Sequence, residues 1–244
     1  MSDEVGPDRA EPAAGEGPRH FGWADGFIKG ETVELTPQRL QKRRVAAAIR
    51  RVTEALVSYD LDAERLEQAA AELEAVADTL EQGPGAELIG WAEAANAPAF
   101  GVFMDRSPVL GQANPVAPPV ELTVEDGRII GTARFGSAYE GPPSCVHGGW
   151  IAAAFDEVLG ATQSLSGSGG MTAYLKIDYR SPTPLHADLR FEGELTRTEG
   201  RKIFTVGRLF HGTRLCAEAE AMFVSVDFAR LAALRKRQIE RDSE

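Results

Sequence analysis

The sequence predicts an α+β fold in which an antiparallel sheet wraps one long apolar helix, preceded by a helical hairpin. Three observations carry this. The hydrophobic period changes from helical spacing before residue 83 to a period of two after residue 119. The stretch GGWIAAAFDEVLGATQ at 148–163 is apolar nearly all round, as a helix at the centre of such an architecture must be. Around it stand two strand-like segments before and four after.

The elements follow in order. Residues 1–30 are acidic and rich in Pro, Gly and Ala, and read as a disordered lead-in. A helical hairpin is expected over 31–85. Thr36-Pro37 supplies a capping hydroxyl and a first-turn proline, and Val45, Ile49, Val52 and Leu56 recur at helical spacing. Ser58-Tyr59-Asp60 breaks the run. Leu66, Ala69, Leu73, Val76 and Leu80 then alternate in threes and fours, the spacing of a helix–helix seam. The basic run QKRRVAAAIRR is read as a solvated face balanced by the acidic second helix, since no tight helix-turn-helix signal accompanies it.

Residues 86–118 form an irregular connection with one short helix near Leu88 to Ala95. The sheet-and-helix domain spans 119–228. VELTVEDGRIIGTARFG is a hairpin turning at Glu125-Asp126-Gly127. After the helix come MTAYLKIDYRS, ADLRFEGELTRTEG, RKIFTVGRLFHG and TRLCAEAEAMFVSVD. In the first of these, Met171, Ala173, Leu175, Ile177 and Tyr179 alternate with polar neighbours, so that face is expected to be buried. Residues 229–244 are a basic helix or tail.

Composition narrows the function classes. With 244 residues, 43% apolar and 26% charged, the chain is long enough to bury a sizeable core as one large domain, with or without an appendage. A net charge of -11 opposes nucleic acid and anionic membranes as general partners. No apolar run reaches transmembrane length, and the start lacks the basic and apolar regions of a signal peptide. Cys145 and Cys216 are far apart and show no metal-ligand spacing. The expectation is a reduced, cytoplasmic protein with neither a metal nor a cofactor.

Asp156 and Glu157 sit in the middle of the apolar helix, where a buried carboxylate is costly unless something compensates for it or uses it. On a wheel, Trp150, Ile151, Ala154, Phe155, Val158 and Leu159 fill one broad side. Gly149, Ala152, Ala153, Asp156 and Gly160 form a strip of small residues on the other, with Glu157 at its edge. Gly148-Gly149 at the helix start offers N–H donors and the positive end of the macrodipole, suited to a developing oxyanion. Asp156 suits a general base or a nucleophile. Seven residues of helix separate Gly149 from Asp156 by roughly 10 Å, too far for one reacting carbon. If both act, a second copy of the chain must bring its Asp156 to this Gly149.

The segment from Pro119 to Asp227, a little under half of the chain, resembles the hotdog-fold acyl-CoA thioesterases of the phenylacetate-degradation (PaaI-like) type. The residues that carry the resemblance are YEGPPSCVHGG at 139–149, Asp156 within AAAFDE, and TAYLKIDYRSPTP at 172–184. It implies a hotdog fold, a dimer or dimer of dimers, and hydrolysis of acyl-CoA without a metal. It places the Gly149 N–H on the thioester carbonyl, with Gly148 beside it, and Asp156 of the partner as base or nucleophile. His147 is placed next to the thioester, and Thr172 as the hydroxyl that orients water. Arg180 and Ser181 in YRSP, and Arg201 and Lys202 in the TEGRK turn, occupy positions that often meet the nucleotide; plain surface charge explains Arg201 and Lys202 equally well. Tyr174 is a candidate for an acyl pocket or for the core. His186 and His211 read as structural, and Cys145 has no nearby base in sequence. The rival readings are an acyl-CoA sensor whose basic first helix binds DNA or another partner, and a dehydratase of the same fold.

Overall fold

The computed structural model describes residues 35–83 and 104–226. The expectations for the lead-in, the short helix near residues 88–95 and the tail at 229–244 lie outside them. Two helices come first, α1 (Pro37–Ser58) and α2 (Ala63–Glu81). The first starts at the cap expected at Thr36, the second at Asp62, which sequence reading did not name. The Thr36 hydroxyl accepts from the Arg39 N–H at 3.3 Å, and the Asp62 carboxylate from the Arg65 N–H at 2.9 Å.

Strands β1 (Glu121–Glu125) and β2 (Arg128–Ala133) form the expected hairpin. Asp126 and Gly127 both take positive φ, 49° and 74°, the requirement of a two-residue turn whose twist matches its strands. The central helix α3 covers Gly148–Gln163, followed by β3 (Gly170–Tyr179), β4 (Leu189–Glu199), β5 (Lys202–His211) and β6 (Arg214–Ser225). All six strands pair antiparallel in the order β1-β2-β4-β5-β6-β3, so β3 is an edge strand.

The sheet curls round α3 because its inner face is thinned where the helix crosses it. Gly193 of β4 pairs with Gly207 of β5, which pairs with Ala219 of β6. A Cβ at Gly193 would collide with the Thr162 hydroxyl, and one at Gly207 would come within 3.1 Å of both Leu159 and Phe155. With those Cβ atoms missing, Phe155, Val158 and Leu159 seat fully buried against Ile129, Phe191, Leu209 and Phe223. The Phe155 and Phe191 rings meet edge to face at 5.2 Å.

Two expectations need correction. The expected seam on α2 is exposed: Leu66, Leu73, Val76 and Leu80 range from 39% to 55% exposed, and α2 buries no residue. Nor does α1 dock by its apolar stripe, for Val52 and Leu56 are exposed too. It docks through a polar stripe one step round. Arg39 and Arg43 both grip the Asp105 carboxylate, with Nε–O distances of 2.9 Å each. Arg50 donates to the carbonyls of Asn114 (2.8 Å) and Gln112 (3.3 Å), and Glu54 accepts from the Ser137 and Ala138 N–H groups. Part of the basic run is therefore turned inward instead of forming a solvated face. Among the described residues no helix is long and apolar enough to cross a membrane.

Candidate active site

The loop 139–147 delivers the chain to the start of α3. Its Cys145 forms an isolated bridge with Pro184, and the Val146 N–H donates to the Thr183 carbonyl at 2.8 Å. The next residue, His147, is the N-cap of α3. Its backbone N–H donates to the Tyr139 carbonyl at 2.9 Å, and its Nδ1 accepts the Gly149 N–H at 3.0 Å. Histidine replaces the usual Ser, Thr, Asp or Asn at this position. Because Nδ1 accepts, a neutral ring carries its proton on Nε2, pointing away from the helix. The Gly149 N–H, expected to face a thioester, is engaged by His147 in the isolated chain.

About two turns further along from Gly149, Asp156 lies on the exposed side of α3. Its Oδ1 accepts the Thr172 hydroxyl at 2.8 Å. So the strip of small residues is an open face. Gly149 is exposed, Ala152 and Ala153 are half-buried, and nothing lies within 4 Å of where a Cβ on Gly160 would stand. Beside it runs the edge strand, where Met171 is 57% and Tyr179 55% exposed, against the expectation that the Met171–Tyr179 face is buried, and Tyr174 of the other face is exposed as well.

Thr172 reaches Asp156 because β3 carries a bulge. Pairing with β6 runs Thr172↔Phe223 and then Tyr174↔Met222, leaving Ala173 unpaired. Leu175 and Ile177 pack on the core beside α3. In a regular strand, Thr172 and Leu175 would lie on opposite faces; the extra residue brings Thr172 onto the helix side with Leu175. Strict alternation therefore misassigned the start of this strand.

Glu157 is the second acid of the pair, and it turns inward. Its Oε1 accepts the Ser107 hydroxyl at 3.0 Å, while that oxygen in turn accepts the Val109 and Leu110 N–H groups. Burial pushes its carboxyl above the usual carboxylate range, the Ser107 bond offsets part of this, and the neighbouring Asp156 charge adds to the rise.

The expected nucleotide contacts are split. Arg180 is held by Glu218 at 2.9 Å with Asp178 at 3.8 Å, and the Ser181 hydroxyl donates to the Leu215 carbonyl at 2.8 Å. Arg201 donates twice to the Ser225 carbonyl, and Lys202 opens β5 nearby. Ser225 pairs with Gly170 and Ala217 with Tyr179, so these two groups sit at opposite ends of β3, roughly 30 Å apart. One chain does not bring them to one phosphate. Arg201 and Lys202 share the Thr172 end of the sheet; Arg180 and Ser181 share the end where α3 begins.

Sequence reading missed Tyr179 as a neighbour of the site. Its hydroxyl donates to the Gly148 carbonyl at 2.8 Å and its ring overlies that glycine. It missed Tyr139 as well, whose ring meets Trp150 edge-on at 5.0 Å. Both tyrosines stand in segments already singled out, Tyr179 opening YRSP and Tyr139 opening YEGPPSCVHGG, yet neither was given a role at the site. His186 is structural, with Nε2 3.0 Å from the Ser137 hydroxyl, and His211 ends β5. Among the described residues no group of three or more His, Cys, Asp or Glu stands together as metal ligands would.

Comparisons with known proteins point one way. Residues 144–218 match the thioesterase superfamily, a span that contains every site residue named above from His147 to Lys202. Residues 43–86 match the N-terminal helical domain of the hypothetical protein RHA1_ro05818. Acyl-coenzyme A thioesterase THEM4 of Xenopus laevis is 37% identical over 101 residues, 41% of this chain and 46% of that protein. THEM5 of Homo sapiens is 36% identical over 69 residues, 28% of each. The chain thus spans less than half the length of these curated relatives. A crystal structure of a thioesterase superfamily protein is 36% identical with a TM-score of 0.67, covering 75% of this chain and 94% of that one. With that neighbour matched over nearly its full length and the hotdog architecture in place, the chain belongs to the thioesterase superfamily.

Proposed function

We propose that the protein hydrolyses acyl-CoA thioesters to CoA and a carboxylic acid, in a site completed by a second copy of the chain. The observation that carries this reading is the Asp156–Thr172 pair. A carboxylate sits on an open strip of small residues with a hydroxyl at 2.8 Å, on a helix whose other side fills the core.

The chemistry follows from that pair. Water held between Asp156 and Thr172 loses its proton to the carboxylate as its oxygen attacks the thioester carbonyl carbon. The C–S bond then breaks, the sulfur leaves as the thiol by taking that proton back from Asp156, and the acyl group leaves as a carboxylic acid. Asp156 serves as base here; its action as a nucleophile would give the same products through an anhydride that water then opens. Negative charge that develops on the carbonyl oxygen needs donors. The Gly149 N–H, at the positive end of α3 with Gly148 before it, is the donor we assign. The thioester oxygen takes the place of His147 Nδ1 on that N–H, and the displaced ring lies alongside the substrate.

Gly149 and Asp156 of one helix stand roughly 10 Å apart, so the donor and the base come from different copies. The open edge of β3, with Met171 and Tyr174 uncovered, is where the second copy joins. A ten-residue edge strand left bare would be a liability for a soluble protein, and pairing removes it. Arg201 and Lys202 near one end, with Arg180 near the other, are cations for the CoA phosphates contributed by different subunits. The reaction as written uses no metal or cofactor.

Asp156→Asn tests the mechanism. Release of free thiol from acyl-CoA should fall by about a hundredfold or more, with the thermal midpoint and substrate binding retained. Turnover at the wild-type rate removes Asp156 from the chemistry. A chain that sediments as a monomer at working concentration and is still fully active removes the shared site.

A further inference from the structure

Helix α1 reaches the start of α3 from two sides, and Tyr139 lies between the two grips. On one side the Glu54 carboxylate accepts the Ser137 N–H at 3.0 Å and the Ala138 N–H at 3.3 Å, fastening the turn Ser137–Tyr139 from 83 residues away in sequence. On the other, Arg50 holds the carbonyls of Gln112 and Asn114, in the loop whose Val116 carbonyl accepts the Tyr139 hydroxyl at 3.0 Å. Arg50 and Glu54 are four apart, so one face of α1 supplies both. Tyr139 passes the constraint on. Its carbonyl receives the His147 N–H at 2.9 Å and its ring packs on Trp150 at 5.0 Å, which places both residues that flank the Gly148-Gly149 pair.

Local helix chemistry gives Glu54 little beyond a long bond from the Ser58 hydroxyl at 3.5 Å. It lies near the C-terminus of α1, the end of the macrodipole where an acid is disfavoured. The partner explains it. Gly136 precedes the turn, and a Cβ there would collide with the Glu54 carboxylate. The φ of Gly136 is -88° and its ψ -172°, a conformation open to any residue, so the glycine serves the carboxylate and not the backbone. Partial burial pushes the Glu54 carboxyl up; the bonds from Ser137 and Ala138, with His186 3.8 Å away, outweigh this and hold it below its ordinary value.

We infer that α1 is a brace for the thioesterase site, with Glu54 its positioning residue: the carboxylate sets the Ser137–Tyr139 turn so that His147, Gly149 and Trp150 stand in the geometry that receives the thioester carbonyl. This rests on the reaction proposed above. The N-terminal helical region is then an active part of the enzyme and not a spacer.

The test compares Glu54→Ala, Gly136→Ala and the double variant, each as the full chain. Two readouts are taken: thiol release from an acyl-CoA series, and residue-resolved amide exchange over 136–150. Glu54→Ala should lower kcat about tenfold with KM within about twofold, because misplaced donors weaken the transition state more than ground-state binding. Exchange at Ser137, Ala138 and His147 should quicken. Gly136→Ala should reproduce both effects by expelling the carboxylate, and should add nothing in the Glu54→Ala background. Glu54→Gln, which keeps one acceptor oxygen, should recover part of kcat. Wild-type kcat in Glu54→Ala despite faster exchange overturns the inference, as does an additive double variant. Should Glu54→Ala fail to fold, unchanged kcat in Gly136→Ala and Glu54→Gln has the same force. A wild-type chain that releases no thiol from any acyl-CoA, while Glu54→Ala still speeds exchange at His147, sinks the thioesterase reading and leaves the brace standing.

Discussion

Helices α1 and α3 are held in place by opposite means. Helix α3 is enclosed by a curled sheet; Ala154, Phe155, Val158 and Leu159 are wholly buried, and its small residues face outward with Asp156. Helix α1 turns its charges inward, through Arg39, Arg43, Arg50 and Glu54, and leaves Val52 and Leu56 in the open. Apolar burial is non-directional and scales with area, so it fixes α3 as the rigid centre without dictating fine geometry. Charge-assisted hydrogen bonds are directional and each has a particular partner. The contrast assigns the work: α3 provides the scaffold and the carboxylate, and α1 sets the register of the loops that feed it.

The largest effect should come from breaking the apolar side. Phe155→Ala removes a fully buried ring from the contact with Phe191 and should cost about 3–5 kcal/mol of global stability, read as a lower midpoint in denaturant. Next is the polar side. Asp105→Ala leaves Arg39 and Arg43 facing each other without their shared carboxylate, whose side chain is 7% exposed. The cost, up to about 3 kcal/mol, should fall on α1 alone. Amide exchange and proteolysis of 37–58 should accelerate while the core transition hardly moves. A core that unfolds together with α1 would erase the distinction drawn between them.

A smaller effect is expected at Glu157, which links the two regions through Ser107. Its folded pKa is raised chiefly by burial. The stability tied to its protonated form is therefore present below its unfolded value, about pH 4, and is lost as pH rises through the folded value. Glu157→Gln keeps an acceptor for Ser107 and removes this loss. Its thermal midpoint should exceed that of the wild type at pH 7, with the gap closing towards about pH 4. The smallest effect belongs to Lys42, an exposed member of the basic run on α1. Lys42→Gln should change stability by no more than about 0.5 kcal/mol, and thiol release not at all.

Much was legible in the chain because it is encoded by neighbours. The limits of α3 at Gly148 and Gln163, the cap at Thr36, and the turn at Asp126-Gly127 each follow from side-chain or backbone preferences within a few residues. The separation of Gly149 from Asp156 is also a local fact, set by the rise of a helix, and it is the reason the proposed reaction needs a second copy if both residues act.

What lay beyond sequence came from contacts across the chain. Periodicity put Thr172 with the polar face of its strand; the bulge at Ala173, visible only in the pairing with β6, carries it to Asp156. Spacing put Val45, Ile49, Val52 and Leu56 on one face of α1, yet Asp105 and the Ser137–Tyr139 turn, both distant in sequence, engage the charged residues Arg39, Arg43 and Glu54 beside it. His147 was placed by its neighbours, but the engagement of its Nδ1 by Gly149 depends on a ring orientation that no spacing encodes. The physical reason is common to all three. A periodic pattern says which residues share a face, whereas which face finds a partner is decided by the elements that arrive from elsewhere in the fold.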